Sequence, residues 1–489
     1  MTALIKALER QLDGRPRPTP RVLQFGQGNF LRAFLDWKID LINARGGLDW
    51  GVVIVRSLAR GAAPSLNDQD GLYTVLTRGV DSTGEAVSQP HVVACVRREL
   101  EAGADWLEIL ALARHPDIAV VASNTTDAGI VYQPCAYDAA PPASFPAKVA
   151  RLLHERWLAL GEHETGWRFL PCELIERNGE VLQDLVLRHA DDWGLPAAFL
   201  RWVAEDNAFY NTLVDRIVPG FPRDEAEILA AALGYQDPFL VAAEQYHLLV
   251  IERRSGQPEP LPPLAAWDDG SVVVEDVTPF RQRKVALLNG GHTALCPLAL
   301  IGVVETVGEA VRSAAGEAFL RGLFEQEIIP FLDLPADSLR EFAEDVLRRF
   351  ANPFIRHYWR DISLNGLAKF RVRNLPSLLA YLEREGAPPP RLSLSLAAWL
   401  TLYLGRFPAA ESCPPRDSEA VLARLRAIGG HARSEEIVSA FLADTELWGS
   451  SLDRPALRQA VLGHFEALSS GPFDFGKLAN TGVDSTVGA

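Results

Sequence analysis

The chain has 489 residues, of which 48% are hydrophobic and 23% are charged. This length and balance predict a globular protein of two large domains. Its formal net charge of −15 argues against a nucleic-acid partner, because such a partner needs a basic face.

Cysteine usage and hydropathy predict a cytoplasmic protein without a membrane partner. The five cysteines are odd in number, far apart and without a C-x-x-C pair, which indicates reduced thiols rather than a disulfide framework or a zinc knuckle. The first twenty residues hold no apolar stretch suited to a signal peptide. The longest apolar run, Ala294 to Val304, contains a proline and is shorter than the roughly 18 residues of a membrane span.

The first half of the chain alternates strand-like and helix-like segments. Arg21–Phe25 is a short strand candidate, and Gly51–Arg56 and Ile118–Ala122 are apolar runs typical of buried strands. Asn29–Asn43 has apolar residues at helical spacing. This alternation predicts an α/β fold, in which residues 1–277 form a Rossmann-like, doubly wound parallel sheet that binds a dinucleotide.

The second half is predicted to be mostly α-helical. A segment rich in proline and glycine, Ser255–Asp269, is typical of a loop or linker, and one more strand candidate, Ser271–Val277, follows it. Asp337 or Ser338 can cap a helix that stops at Asn352-Pro353, and further helices begin near Ser418, Ser434 and Pro455. We therefore expect a helical C-terminal domain, residues 278–489, ending in a loose tail.

A glycine-containing turn follows the first predicted strand. The run Gly26-Gln27-Gly28-Asn29-Phe30-Leu31-Arg32-Ala33 places two glycines where a backbone can approach a pyrophosphate at a helix N-terminus. Leu31 replaces the usual third glycine, so a strand-to-helix turn without a ligand is the alternative. The strand before and the amphipathic helix after favour dinucleotide binding.

The second predicted strand ends at Arg56, where an acid would normally bind the adenosine ribose. An arginine at this position can bind the 2′-phosphate of NADP, lie over the adenine, or simply be a surface residue. Taken alone, Arg56 leans toward NADP.

A helix starting at Thr278-Pro279 carries Lys284, Asn289 and His292. At about 100° per residue, Asn289 lies about 140° and His292 about 80° from Lys284, on one side of the helix. Lysine can exchange a proton with a carbonyl or alkoxide oxygen, the amide can donate to that oxygen, and the imidazole can hold a neighbouring hydroxyl. A solvated lysine, a capping amide and a core histidine form the alternative interpretation.

Weaker candidates lie between the two motifs. Asn178 opens a predicted helix and is either a cap or a donor. Asn207, Asn211 and Asp215 recur every four residues, as on one face of a helix, and Asp215 with Arg216 is typical of a structural ion pair. The sequence offers no ligand cluster for a metal.

Three motifs together resemble one enzyme family. They are Lys284-x-x-x-x-Asn289-x-x-His292, Val214-Asp215-Arg216-Ile217-x-Pro219, and the glycine turn followed by Phe30-x-Arg32-Ala33. From end to end the chain resembles the polyol-specific long-chain dehydrogenases, the mannitol dehydrogenase family. Segments such as LQFGQGNFLRAFLDW, SNTTDAGI, PCELIERNG and KVALLNGGHTALCP most resemble its ketouronate-reducing branch.

The resemblance implies an NAD-dependent oxidoreductase that needs no metal and acts on a small sugar acid. It implies that Lys284 is the general acid/base, Asn289 an oxyanion donor and His292 a substrate ligand. It further implies that Lys369, Asn178 and Asp215 bind or support the substrate. The implied cofactor-binding residues are Phe25, Gly26, Gly28, Asn29, Phe30, Arg32, Arg56, Asn124 and Thr125.

Several positions depart from the family pattern. Asp361 stands where mannitol dehydrogenases have a substrate-binding arginine, with Arg360 beside it, and Arg281 replaces a glutamate of their proton relay. Asp127 replaces an expected glutamate, and Arg56 replaces an acid. The implied activity is reversible reduction of D-tagaturonate to D-altronate. Fructuronate reduction or polyol oxidation is the alternative, and a dinucleotide-binding sensor without turnover is a further one.

Overall fold

The computed structural model describes residues 6–8, 15–46, 48–57, 61, 63–80, 85–125, 129–161, 166–260 and 270–480. Within these ranges the chain forms two compact units, Met1–Val277 and Thr278–Ala489. Asp127, the linker residues 261–269 and the tail residues 481–489 lie outside the described residues.

The first unit is built on a parallel sheet of six strands. In chain order the strands are β2 (Thr19–Phe25), β3 (Trp50–Arg56), β6 (Val96–Glu101), β7 (Val120–Ser123), β8 (Arg168–Pro171) and β9 (Ala208–Phe209). Their order across the sheet is β6-β3-β2-β7-β8-β9. This is the doubly wound dinucleotide-binding order, so the predicted fold class is confirmed.

Both faces of the central strands are buried, which explains the nearly unbroken apolar run of β3. Val22 and Ile54 pack into the core on one face, whereas their chain neighbours Leu23 and Val53 pack into the core on the other. Side chains of a strand alternate between faces, so a sheet covered twice has no polar side to reveal its period.

Smaller sheets and helices complete the first unit. β4 (Tyr73–Val80) pairs with β5 (Ala86–Val93) and β12 (Val241–Glu244), β13 (Leu248–Glu252) lies between β10 (Asn211–Asp215) and β14 (Ser271–Val274), and β1 (Lys6–Ala7) pairs with β11 (Tyr235–Gln236). The helices span residues 29–44, Trp106–Ala113, Phe145–Leu160, Asn178–Asp192, Ala197–Glu205 and Ala226–Leu233.

The predicted helical face of Asn207, Asn211 and Asp215 is wrong. Asn211–Asp215 is a strand that pairs antiparallel with β13, from Asn211 opposite Glu252 to Asp215 opposite Leu248. The four-residue spacing also suits a strand, because residues an even number apart share one strand face. The β-branched Thr212 and Val214 favour the extended form.

The second unit is helical, as predicted. After the run Thr278–Ile301, its helices span Val307–Arg312, Ala314–Gly322 (continued as a π-helix over Leu323–Ile328), Ala336–Phe350, Trp359–Ile362, Gly366–Arg373, Leu375–Glu385, Pro390–Tyr403, Glu419–Gly429, Ser434–Ala443, Thr445–Trp448 and Pro455–Ser469. The helix predicted to start at Asp337 or Ser338 begins at Ala336, and Pro335 precedes it without a side-chain cap.

The run Thr278–Ile301, called here the 278–301 helix, has the length and composition of a membrane span, but 78% of its most apolar window is buried inside the protein. It is therefore a core helix of the second unit.

Buried Glu327 accepts hydrogen bonds from the backbone N–H groups of Arg391 and Leu392, at the start of the helix Pro390–Tyr403. A carboxylate at a helix N-terminus is electrostatically favourable.

Candidate functional site

The glycine turn lies at the carboxyl ends of the two central strands. Gly26 N–H donates to Val55 O of β3 at 3.0 Å, and Asn124 N–H, after β7, donates to Phe25 O at 3.0 Å. Because β2 and β7 are where the strand order reverses, this is the position at which doubly wound sheets bind ligands.

The turn requires glycine at Gly26 and leaves space and N–H donors beside Gly28. Gly26 has φ of +119°, and a Cβ there would lie 3.0 Å from Asn124 O, so both its conformation and its surroundings require glycine. At Gly28 a Cβ would meet no atom within 4 Å. No side chain caps the helix that begins at Asn29, which suits the binding of a phosphate by its N-terminal N–H groups.

Arg32 secures the turn from within the protein. The side chain is buried and donates from Nε to Gln27 O at 3.1 Å, and from its terminal nitrogens to Phe239 O at 2.5 Å and Asn29 Oδ1 at 2.7 Å. Phe30 stacks on Phe34 at 4.9 Å. The geometry thus gives Arg32 the task of positioning the turn and the Asn29 side chain.

Asn124 and Thr125 are held by the segment that follows β8. The Asn124 amide donates to Cys172 O at 2.8 Å, and Thr125 donates to Glu173 Oε1 from its N–H at 2.8 Å and its hydroxyl at 2.9 Å. Burial raises the pKa of the Glu173 carboxyl, against the lowering effect of these hydrogen bonds. The two candidate cofactor residues therefore have fixed backbones next to the glycine turn.

Arg56 is neither a surface residue nor a free cation. Its side chain is buried, and its terminal NH1 nitrogen lies 3.1 Å from Glu99 Oε1 on the neighbouring strand β6. The amide of Gln27, oriented with its nitrogen toward Glu99, bridges the pair at 3.1 Å from Glu99 and 3.0 Å from Arg56. The positive charge that favoured NADP in the sequence is neutralised inside the protein.

Asn178 and Asp215 are buried in the first unit, at 1% and 4% exposure. The Asn178 amide donates to Pro171 O at 2.9 Å and Glu173 O at 3.1 Å, and its oxygen accepts from Thr212 N–H at 2.9 Å. Asn178 therefore ties the start of its helix to β8 and β10. The suggested contact of Asn178 and Asp215 with substrate stays a prediction.

The 278–301 helix changes its winding where its polar residues lie. It is α-helical over Thr278–Arg283, a π-helix over Lys284–Asn289, and α-helical again from Gly290. Gly290 N–H donates to Val285 O, five residues earlier. Residues five apart are joined by the hydrogen bonds of a π-helix, so Lys284 and Asn289 project from neighbouring positions rather than about 140° apart. Both side chains are half-buried.

The space beside Gly290 and Gly291 is filled by protein. A Cβ on Gly291 would lie 2.9 Å from Phe324 Cζ. The carbonyl of Gly290 accepts from the Asn374 amide at 3.0 Å. These glycines let neighbouring helices pack closely against the 278–301 helix.

His292 is buried among aromatic rings. Phe350 stacks on its imidazole at 4.0 Å, and His357 and Trp359 approach it edge-on at 5.0 and 6.2 Å. Nε2 has no hydrogen-bond partner among the described residues. Burial lowers the pKa of His292 well below its usual value, and neighbouring His357 and the charges of Arg373, Arg349 and Lys369 lower it further. A neutral imidazole with an unsatisfied nitrogen suits a substrate hydroxyl.

Lys369 lies on the helix Gly366–Arg373, called here the lysine helix. Its Nζ donates to Ile362 O at 2.9 Å, and its side chain is half-buried. Burial lowers the pKa of Lys369, and the charge of Arg373 lowers it further. Arg360, beside Asp361, is exposed.

Arg373 is not among the candidates selected from the sequence, although it follows Lys369 by four residues on the same helix. Its NH1 nitrogen donates to Thr293 Oγ1 at 3.1 Å, and Thr293 in turn donates to Asn289 O at 2.9 Å. Arg373 is thereby linked to the last residue of the π segment. An i, i+4 pair of cations was the signal that could have revealed it.

Across the described ranges, no group of three or more His, Cys, Asp or Glu side chains is placed to hold a metal ion. The proton-transfer and oxyanion candidates of the second unit are instead an amine and an amide, Lys284 and Asn289.

Comparisons with known proteins agree with both units. Residues 20–261 match the mannitol dehydrogenase Rossmann domain and residues 276–469 the mannitol dehydrogenase C-terminal domain. The altronate oxidoreductase of Yersinia enterocolitica is 45% identical over 450 residues, 91% of this chain and 92% of the relative.

Two solved structures share the fold. Substrate-free D-sorbitol dehydrogenase matches with a TM-score of 0.78 and 24% identity, covering 94% of this chain and 98% of the other. The Pseudomonas fluorescens mannitol 2-dehydrogenase complex with NAD and D-mannitol matches with a TM-score of 0.69 and 22% identity, covering 98% of both chains.

Proposed function

Because this chain belongs to the mannitol dehydrogenase family, we propose that it catalyses the reversible reduction of D-tagaturonate to D-altronate with NADH. The observation that carries the proposal is the 278–301 helix, which presents Lys284, Asn289 and the unsatisfied Nε2 of His292. The 45% identity to an altronate oxidoreductase supports the choice of substrate.

The chemistry assigned to the second unit is proton transfer and charge stabilisation. When bound, the nicotinamide supplies the hydride to the carbonyl carbon. The Lys284 ammonium gives its proton to the carbonyl oxygen, and in the reverse direction the neutral amine takes the proton of the alcohol. Asn289, one π turn away, donates to the same oxygen as negative charge develops, so the mechanism needs no metal ion.

His292 orients the substrate in this proposal. Its lowered pKa, caused first by burial, keeps the imidazole neutral at physiological pH, so Nε2 can either donate to or accept from a sugar hydroxyl. An imidazolium in the same place would add a charge beside Lys369 and Arg373. The neutral form holds a hydroxyl without that cost.

We assign NAD rather than NADP because of the pair Arg56–Glu99. An arginine that binds a 2′-phosphate must be able to direct its charge at that group. Here Arg56 is buried and 3.1 Å from Glu99. The carboxylate both neutralises the arginine and repels a phosphate, whereas the neutral ribose 2′-hydroxyl meets no such repulsion.

We place the enzyme in the cytoplasm, acting on a small sugar acid. Its five cysteines are all free thiols, which suits a reducing compartment. The net charge of −15 remains unfavourable for nucleic acid or anionic lipid surfaces.

The proposal is tested by following NADH oxidation at 340 nm with D-tagaturonate, D-fructuronate, D-tagatose and D-fructose, and repeating the best substrate with NADPH. D-Tagaturonate with NADH should give the highest kcat/KM. A preference for fructuronate would move the assignment to the sister reaction, and a neutral ketose reduced equally well would make the enzyme a polyol dehydrogenase. Cofactor binding without turnover of any of the four would indicate a sensor.

A further inference from the structure

The lysine helix carries two cations that lack a carboxylate partner. Lys369 makes one hydrogen bond, to Ile362 O, and Arg373 makes one, to the hydroxyl of Thr293; neither forms an ion pair within the described part of the chain. Both side chains are half-buried. In a protein with a net charge of −15, acidic partners are abundant, so two unpaired cations together are unexpected.

The two cations also repel each other. Residues four apart on a helix are neighbours, with Cβ atoms about 5–6 Å apart. Burial lowers the pKa of Arg373, and burial followed by the charge of Arg373 lowers the pKa of Lys369. Partly desolvated like charges without a counter-ion destabilise the ligand-free protein. An anionic ligand between them would reverse that effect.

The position of the pair connects it to the reacting groups. Thr293, which accepts the hydrogen bond from Arg373, also donates to Asn289 O and follows His292 in the chain. A ligand held by His292 and the Asn289 amide would therefore extend toward these cations. A sugar acid has both hydroxyl groups for His292 and Asn289 and a carboxylate for Lys369 and Arg373.

We propose that Arg373, together with Lys369, binds the carboxylate of the sugar-acid substrate and sets the preference for uronates over neutral sugars. The inference rests on the proposed function. Thr293 holds one arm of the guanidinium, and the remaining N–H groups form the fork that can bind two carboxylate oxygens at once. Lys369 adds a second charge to the same anion.

The test compares Arg373→Gln with Arg371→Gln, which removes an exposed arginine from the same helix. The ratio of kcat/KM for D-tagaturonate to that for D-tagatose, its neutral counterpart, is measured for each variant. We expect Arg373→Gln to lower this ratio at least about 30-fold, the scale of a lost charge-assisted hydrogen bond, and Arg371→Gln to leave it unchanged. An equal loss on both sugars for Arg373→Gln would overturn the proposal.

Binding without turnover gives an independent readout. D-Altronate should raise the melting temperature of the wild type and of Arg371→Gln but have little effect on Arg373→Gln. Without ligand, Arg373→Gln should melt at or above the wild-type temperature, because an uncompensated charge is gone. Equal stabilisation of all three proteins by altronate would refute the assignment.

Two further results separate the possible failures. If the wild type reduces no ketouronate, the proposed function fails. If the wild type prefers tagaturonate and Arg373→Gln keeps that preference, only the carboxylate site is wrong. Should Arg373→Gln not fold, Arg373→Lys keeps the charge but loses the fork, and it must still show a reduced preference for the uronate.

Discussion

Asp36 provides a test of the electrostatics within the helix of residues 29–44. It is fully buried, and its Oδ2 accepts hydrogen bonds from the Gln24 amide and the Tyr73 hydroxyl, both at 3.2 Å. Neither Asp36 Oδ1 nor Gln24 Oε1 has a partner among the described residues. Burial raises the pKa of Asp36 from 3.8 to about 7, despite the hydrogen bonds and the charge of Arg32.

The expected effect of Asp36→Asn follows from this pKa. A carboxyl whose pKa is raised by folding stabilises the folded state while protonated, fully below about pH 4, and this stability is lost as the pH rises through about 7. A pKa difference of about 3, at about 1.4 kcal/mol each, corresponds to about 4 kcal/mol. The Asp36→Asn variant carries a neutral amide at every pH. It should therefore be increasingly more stable than wild type from about pH 4 to about pH 7, by up to about 4 kcal/mol.

The assay is denaturant unfolding at about pH 4.5, 6 and 8, a range that spans the two pKa values, with the free energy of unfolding compared between variant and wild type at each pH. Asp40→Asn is the matched control. Burial would raise the pKa of Asp40, but His91 at 2.7 Å and Arg15 at 2.8 Å lower it overall. That variant should lose stability at neutral pH. A difference between Asp36→Asn and wild type that does not change with pH would refute the reasoning.

Three further predictions concern the reaction. Lys284→Ala should bind NADH normally but have a kcat lower by about 100-fold or more, the usual scale for a positioned acid. The control Lys477→Ala, at an exposed lysine, should leave kcat unchanged. A Lys284→Ala enzyme with most of its kcat would show that the proton comes from elsewhere. Glu99→Gln should raise kcat/KM with NADPH relative to kcat/KM with NADH by about tenfold or more, because Arg56 loses its carboxylate partner. An unchanged ratio would mean that the pair Arg56–Glu99 does not select the cofactor. Dialysis against EDTA should leave activity intact, and a loss restored by a divalent metal would contradict the amine-and-amide mechanism.

Local sequence was enough to predict the elements that carry the candidate site. The strand ending at Arg56 is a nearly continuous apolar run, and the turn after Phe25 needs glycine at Gly26 for a φ of +119°. The start of the 278–301 helix at Thr278 follows from the pair Thr278-Pro279, which is typical of a helix N-terminus. These features depend on neighbours within a few residues, so composition and periodicity reveal them.

Only the tertiary structure shows which groups the buried arginines contact and where the 278–301 helix changes its winding. Arg56 meets Glu99 across 43 residues of sequence and Arg373 meets Thr293 across 80. Nothing in the local pattern therefore distinguishes an arginine paired with a carboxylate from one hydrogen-bonded to a hydroxyl. The same holds for Asn211–Asp215, whose spacing fits both a helix and a strand until β13 pairs with it. The π segment Lys284–Asn289 likewise depends on its surroundings. An extra residue in a helical turn makes the local hydrogen-bond geometry poorer, and only packing against neighbouring elements can offset that loss.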